Sequence, residues 1–254
     1  VDPAPASTAP GSSNSRVLLP LPTRHRSLSE LRDLAEHGAR ELDGAPAVDI
    51  VAWAVENFGP RLCVLSSMTD AVLAHLVSQA SPGVAVLFGD TGYHFAETIG
   101  TRDAIAATLD VRVVDVRPDQ TVAEQAATYG PDLFATNPDL CCRIRKTEPL
   151  RRALSGYDAW CSGIRRTETV NRTDARAVEW DRRRDKVKIN PIVAWSDDQV
   201  DAYIETHGLL TNPLLQLGFT SIGCAPCTRA PVAGADSRSG RWSGTAKTEC
   251  GLHI

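Results

Sequence analysis

The chain has 254 residues, of which 43% are hydrophobic, and a formal net charge of -4. That supplies one substantial α/β core or two small ones, while the acidic balance excludes bulk nucleic-acid binding, which leaves a basic footprint. No apolar run is long enough to span a bilayer, and Val17–Leu21, interrupted by Pro20 and Pro22, is too short for a secretory core. A soluble cytoplasmic protein is the expectation.

Residues 1–27 are rich in Pro, Ser, Ala and Thr and predict a flexible tail. An amphipathic pattern from Ser29, read as the N-cap, predicts a first helix, and Asp49–Phe58 a second that Gly59-Pro60 closes. Three short apolar runs, Leu62–Leu65, Val84–Phe88 and Val111–Val116, predict buried strands. Helical stretches Ala71–Gln79 and Phe95–Leu109 lie between them, and Ala159–Ser162 and Val187–Ile189 predict further strands. This alternation implies an α/β fold with a largely parallel sheet covered by helices. From residue 218 to 254 the chain is rich in Gly, Ser, Arg and Cys, and its apolar residues follow no regular period. Such a segment is held by ligands or specific contacts, or else moves.

Of the seven cysteines, Cys63 and Cys161 sit in apolar settings and read as core thiols. Cys141 and Cys142 are adjacent, Cys224 and Cys227 form a C-x-x-C pair, and Cys250 stands alone near the end. A disulfide framework is disfavoured by the expected compartment, and a bridge between neighbours would be strained. Four thiolates from two separated segments suit a metal centre that clips the C-terminal segment to the core. Tetrahedral zinc and a [4Fe–4S] cluster both remain open on the residues alone, with the cluster ahead because adjacent cysteines reach two irons more easily than one zinc ion.

Loops after parallel strands carry function at their carboxyl ends. After the first strand comes Ser66-Ser67-Met68-Thr69-Asp70, whose hydroxyls and N–H groups at a helix start suit a phosphate; helix capping by Ser67 or Thr69 explains it nearly as well. After the second comes Gly89-Asp90-Thr91-Gly92-Tyr93-His94. Gly163, Arg165, Arg166 and Arg172 follow a predicted strand and offer guanidiniums for bidentate anion binding, or form an ordinary basic loop. Lys146, four residues after Cys142, shares its face if this stretch is helical; a solvated lysine is the competing reading. Arg238 and Arg241 precede Cys250, and His253 follows it: nearby cations favour a thiolate nucleophile, Glu249 opposes them, and a plain tail thiol competes.

Together these residues resemble the assimilatory sulfonucleotide reductases, in the adenylyl-sulfate reductase branch that carries a [4Fe–4S] cluster. The resemblance runs from about Ser29 to Ile254. It rests on CCRIRKTEPLRRAL (141–154), IGCAPCTR (222–229) and ECGLH (249–253), with support from SSMTD (66–70), DTGYHF (90–95), GIRRTETVNR (163–172) and SRSGRW (237–242). It implies a Rossmann-like, adenine-nucleotide-hydrolase-like fold; with the change of texture after Leu217, residues 28–217 are expected to form the nucleotide-binding domain with the first half of the cluster site, and residues 218–254 a C-terminal segment with the C-x-x-C pair and the catalytic cysteine. It implies Cys141, Cys142, Cys224 and Cys227 as ligands of one cluster per chain, and Cys250 as nucleophile. Lys146, Arg238, Arg241 and His253 match active-site basic residues, and the 66–70 loop matches the phosphate loop. Where pyrophosphatase relatives have a Gly-Gly pair, this loop has Met68 nearby, which fits a reductase. The implied reaction is thioredoxin-dependent reduction of adenosine 5′-phosphosulfate in sulfate assimilation and cysteine biosynthesis. Reduction of the 3′-phosphorylated substrate, or a zinc-stapled non-catalytic module, are the alternatives. The sequence is compatible with a homo-oligomer. In one departure from the family, a single Trp242 stands where many relatives have a run of tryptophans.

Overall fold

The computed structural model describes residues 26–231, 238–242 and 247. Helices α1 (Leu28–Glu41) and α2 (Ala47–Phe58) precede strand β1 (Leu62–Ser66). There follow α3 (Val72–Ala80), β2 (Val84–Gly89), α4 (Ala96–Thr108), β3 (Val111–Val116) and α5 (Val122–Tyr129). The short helices α6 (Leu133–Thr136) and α7 (Pro138–Cys142) lead through a π turn (Arg143–Thr147) into α8 (Glu148–Leu154). Strands β4 (Ala159–Cys161), β5 (Val178–Asp181) and β6 (Lys186–Ile189) and helix α9 (Asp197–His207) complete the regular elements.

The strands form one sheet in the order β3-β2-β1-β4-β6-β5, parallel except for β5 at the edge. The predicted α/β class is the observed one. The chain leaves β1 on one side toward β2 and later returns on its other side as β4, so a topological switch point lies between them, where ligands bind in open α/β sheets.

Alternation along the strands sends successive side chains to opposite faces. Leu62 and Val64 of β1 and Cys161 of β4 join the core beneath α1, α2 and α3. Cys63, Ala85, Leu87 and Trp160 join a second core with Leu150 and Leu154 of α8. Cys63 and Cys161 are therefore both buried, on opposite faces, as packing thiols. The apolar i, i+4 pair Leu150 and Leu154 seats α8, and with it the π turn and Cys141-Cys142 at its head.

Two local expectations are corrected. Ser27, not Ser29, caps α1, because Glu30 three residues on returns the hydrogen bond to its N–H and completes a capping box. The cap of α3 is neither Ser67 nor Thr69: the Asp70 carboxylate accepts the Val72 N–H at 2.9 Å. Strand β5 was absent from the sequence reading, as were α5 and α9, in each of which almost every side chain is exposed or half-buried.

Candidate active site at the carboxyl edge of the sheet

The loops after β1, β2 and β4 open onto a cavity of about 590 Å³ at the switch point. In the first loop, Met68 takes a left-handed backbone (φ 58) and is buried. Its inward turn leaves the Ser67 and Thr69 hydroxyls together, 3.1 Å apart, on the cavity wall with Ser66 and Asp70. The Asp70 carboxyl is pushed above its ordinary range by burial, against which the Val72 N–H and Arg165 work.

Gly89 and Thr91 line the cavity from the second loop. Asp90 is not among its walls; it accepts from Arg117 at 3.1 Å and from the Gly92 N–H. His94 lines the cavity too, its Nε2 on the Gly89 carbonyl at 2.9 Å, and burial lowers its pKa. From the third loop, Gly163, Arg165 and Arg172 line the cavity, Arg165 paired with Asp197 and Arg172 with Glu168. Arg166 turns away and donates from Nε to the Ala175 carbonyl at 2.8 Å.

The opposite wall holds all four paired cysteines. Cys141 and Cys142 come from α7, and Cys224 and Cys227 flank a 3₁₀ turn pinned by Pro226. That turn is stitched to the second loop: the Ala225 N–H donates to the Tyr93 carbonyl at 2.7 Å, and Cys224 bridges His94. The Cys141 thiol is pushed up to about 12, first by burial and then by Cys142, Cys224 and Cys227, while Arg145 works the other way. Cys227 is raised to about 11, by burial and then by Cys224 and Cys142. Four soft donors that repel one another as thiolates form a donor set that suits a shared cationic centre. Among the described residues, no group of three or more His, Cys, Asp and Glu side chains could hold a single metal ion.

Lys146, Arg238 and Arg241 line this end of the cavity. Lys146 follows Cys142 through the π turn, and both face the cavity. Such turns recur at functional sites because they re-aim side chains without ending the helix. Arg241 donates to the Ser221 hydroxyl and the Ile222 carbonyl and lies over the Trp242 ring at 4.5 Å. Its guanidinium rests on Gly223, where any Cβ would stand 2.1 Å from Nη2. Trp242 is buried, donates its backbone N–H to the Cys227 carbonyl at 3.0 Å, and carries Arg238 and Lys247 over its ring as well. Cys250 and His253 lie outside the described residues.

The sequence pattern of the phosphoadenosine phosphosulfate reductase domain matches residues 61–230, which span all three loops and both cysteine pairs. The chain belongs to the phosphoadenosine phosphosulfate reductase family. This reductase-family chain is 57% identical to a Streptomyces coelicolor protein named adenosine 5′-phosphosulfate reductase, over 90% of this chain and 97% of that one. It is 55% identical to a protein of that name from Mycolicibacterium smegmatis, over 89% and 96%. Among solved structures, a phosphoadenylyl-sulfate reductase from Candida auris in a phosphate complex superposes with a TM-score of 0.67 at 28% identity, covering 77% of this chain and 96% of that one. A Candida glabrata FMN adenylyltransferase shares the fold alone, with a TM-score of 0.53 at 11% identity, over 80% and 75%.

Two residues at the family's site escaped the sequence reading. Arg145, one of several basic residues in the 141–154 motif, is buried and hydrogen-bonded to three groups. His94 was read only as part of a loop. No periodicity marks either; the signal available was an arginine one turn past a cysteine pair.

Proposed function

We propose that this chain reduces adenosine 5′-phosphosulfate to sulfite and AMP with thioredoxin as the electron donor. The observation that carries the reading is the make-up of a single cavity, lined both by the hydroxyl-bearing 66–70 loop and by Lys146, Arg238, Arg241 and four cysteines. A nucleoside phosphosulfate, a neutral adenosine joined to a phosphosulfate with charge on two centres, calls for donors and cations of this kind in one site. The relatives at 51–57% identity carry the name of the substrate without the 3′-phosphate, which favours it over the 3′-phosphorylated one.

The attacking group on this reading is the Cys250 thiolate. Its Sγ bonds to the sulfonyl sulfur as the sulfur–oxygen bond to the phosphate breaks, and AMP leaves with that bonding pair. Both reactants are anions, so the step needs cations placed where charge gathers. Lys146, Arg238 and Arg241 supply them, with Arg165 and Arg172 nearer the β4 loop and His253 beside Cys250 in the sequence. A thioredoxin thiolate then attacks Sγ of the S-sulfocysteine and expels sulfite. A second thioredoxin thiol resolves the mixed disulfide, so two electrons pass from thiols to sulfur. The C-terminal segment closes for the first transfer and opens for the second.

Cys141, Cys142, Cys224 and Cys227 are the residues that would hold a [4Fe–4S] cluster, which would anchor the C-terminal segment and set the field at Lys146. The chemistry of the donor set supports this: four thiols on one wall, coupled to one another, with adjacent cysteines ill-suited to a single ion. No helix among the described residues is long and apolar enough to cross a membrane; the cytoplasmic location is part of the proposal.

The test is anaerobic purification, iron and acid-labile sulfide analysis, and sulfite release from adenylyl sulfate and from its 3′-phosphorylated form with thioredoxin. Faster turnover of adenylyl sulfate by a brown, iron-containing protein is expected. A colourless protein that leaves both nucleotides intact sinks the reading.

A further inference from the structure

We infer that Arg145 is the positioning residue that sets the two cysteine pairs against each other, through the loop after β2. The inference rests on the four-cysteine site proposed above.

Arg145 stands in the π turn, on the same continuous helix as Cys141 and Cys142. It is buried. Nε donates to the Thr91 carbonyl. Nη1 donates to the Gln120 carbonyl at 3.3 Å and to Gln125 Oε1 at 3.1 Å. The guanidinium carbon lies 5.3 Å from the centre of the Tyr93 ring. Between Thr91 and Tyr93, Gly92 adopts φ +74, and a Cβ there would stand 3.1 Å from Nη2. The loop is thus shaped around this one side chain.

The same loop grips the second cysteine pair. Thr91 Oγ1 is 3.2 Å from Cys224 Sγ, and the Tyr93 carbonyl accepts the Ala225 N–H. One side chain on the first cysteine helix therefore reaches the second pair through two residues of an intervening loop. Gln125 strengthens the case. It is a fully buried amide in an otherwise mostly exposed helix, and a buried polar group is costly unless bonded. Arg145 supplies its bond.

The requirement is for a fork and not merely for charge. Three acceptors in different directions match the planar, multi-donor guanidinium; an ammonium on a flexible stem does not reproduce them. Lys146, the neighbouring cation, also lines the cavity, and on the proposed reaction it would serve the substrate.

Arg145→Met and Arg145→Lys, prepared anaerobically beside the wild type, test this by retention of iron against a competing chelator and by the visible and electron paramagnetic resonance spectra. Both variants are expected to weaken iron retention by about 10–100-fold, the usual scale for outer-shell partners, with altered spectra, and lysine fails to rescue. Gln125→Leu, which leaves the guanidinium and two of its acceptors, gives a smaller change of the same kind and serves if the arginine variants do not fold. A metal-independent arm treats reduced apoprotein with the short bifunctional thiol reagent dibromobimane and maps the peptides. Cross-links between the 141–142 and 224–227 pairs are expected in wild type and are depleted in Arg145→Met. Wild-type retention and spectra in both arginine variants, or undiminished cross-linking in Arg145→Met, overturn the inference. Absence of iron from the wild type ends the cluster reading and leaves the cross-linking arm to decide the role of Arg145.

Discussion

Two stretches of the cavity lining, the β4 loop and the turn around Arg241, seat their guanidiniums through different described contacts. Toward the β4 loop each cation has a carboxylate: Arg165 meets Asp197 and Arg172 meets Glu168. Toward the cysteines, the contacts described for Arg241 are a hydroxyl, a carbonyl and an indole. A guanidinium matched by a carboxylate takes an incoming anion only by giving up or sharing that partner. On the reaction proposed above, nucleotide positioning would fall to the first group and the added negative charge of the transfer to the second.

The largest expected effect breaks the comparison at its reactive end. Cys250→Ser abolishes sulfite release and the protein-bound sulfite adduct while leaving nucleotide binding intact, checked by mass spectrometry of the stalled enzyme and by AMP titration. An adduct that survives in the variant rules out Cys250 as the attacking group. Arg241→Met or Lys146→Met follows, with kcat lower by about 10²–10³-fold, the scale of removing one preorganised electrostatic contact. A subtler variant is Gly223→Ala, whose Cβ would fall 2.1 Å from Arg241 Nη2 and so displace the guanidinium without removing it. A loss of about tenfold to a hundredfold in kcat/KM with unchanged nucleotide affinity is expected, and unchanged turnover would show that Arg241 needs no such seat.

At Asp70, in the loop after β1, the expected effect is on stability. Burial raises the Asp70 pKa above the unfolded value, so its contribution is present at low pH and is lost as the carboxyl ionises with rising pH. Asp70→Asn keeps an acceptor for the Val72 N–H without that cost. Its Tm advantage over wild type, absent near pH 4, should reach about 2–4 °C by pH 7 if relief is worth about 1 kcal/mol. The smallest effect lies between α3 and α9. His75, 2.9 Å from the Tyr203 hydroxyl, has its pKa lowered by burial and by His207. Its neutral form is favoured in the fold, so stability present above the ordinary imidazole value of about 6.5 declines as pH falls below it. His75→Gln should flatten the dependence of Tm on pH between 5 and 7.

Much of the scaffold was readable beforehand because buried parallel strands announce themselves as apolar runs; Leu62, Val84 and Val111 are the observed starts of β1, β2 and β3. Strand β5 was not, since Val178 and Trp180 alternate with charged residues over only four positions and gain their strand character from pairing with β6. Helix α9 buries no residue and so leaves no apolar stripe to detect. At the site, residue types and spacing marked the cysteines and Lys146, but direction is a property of the fold. Asp90 and Arg166 share their loops with Thr91 and Arg165, yet they face Arg117 and Ala175 rather than the cavity. The partner of a guanidinium is invisible until distant segments meet, which is why Arg145 looked like its neighbours.

The π turn at Arg143–Thr147 also fixes how this segment tolerates change in length. A π turn takes up one surplus residue in a single widened turn of the coil, so the helical halves on either side keep the phase they would have without it. Excising one position there would let the coil relax to ordinary winding and would leave Cys141 and Cys142 in nearly their present direction relative to Leu150 and Leu154. What a single-codon deletion would cost is the aim of Arg145 and Lys146, the side chains that the widened turn carries.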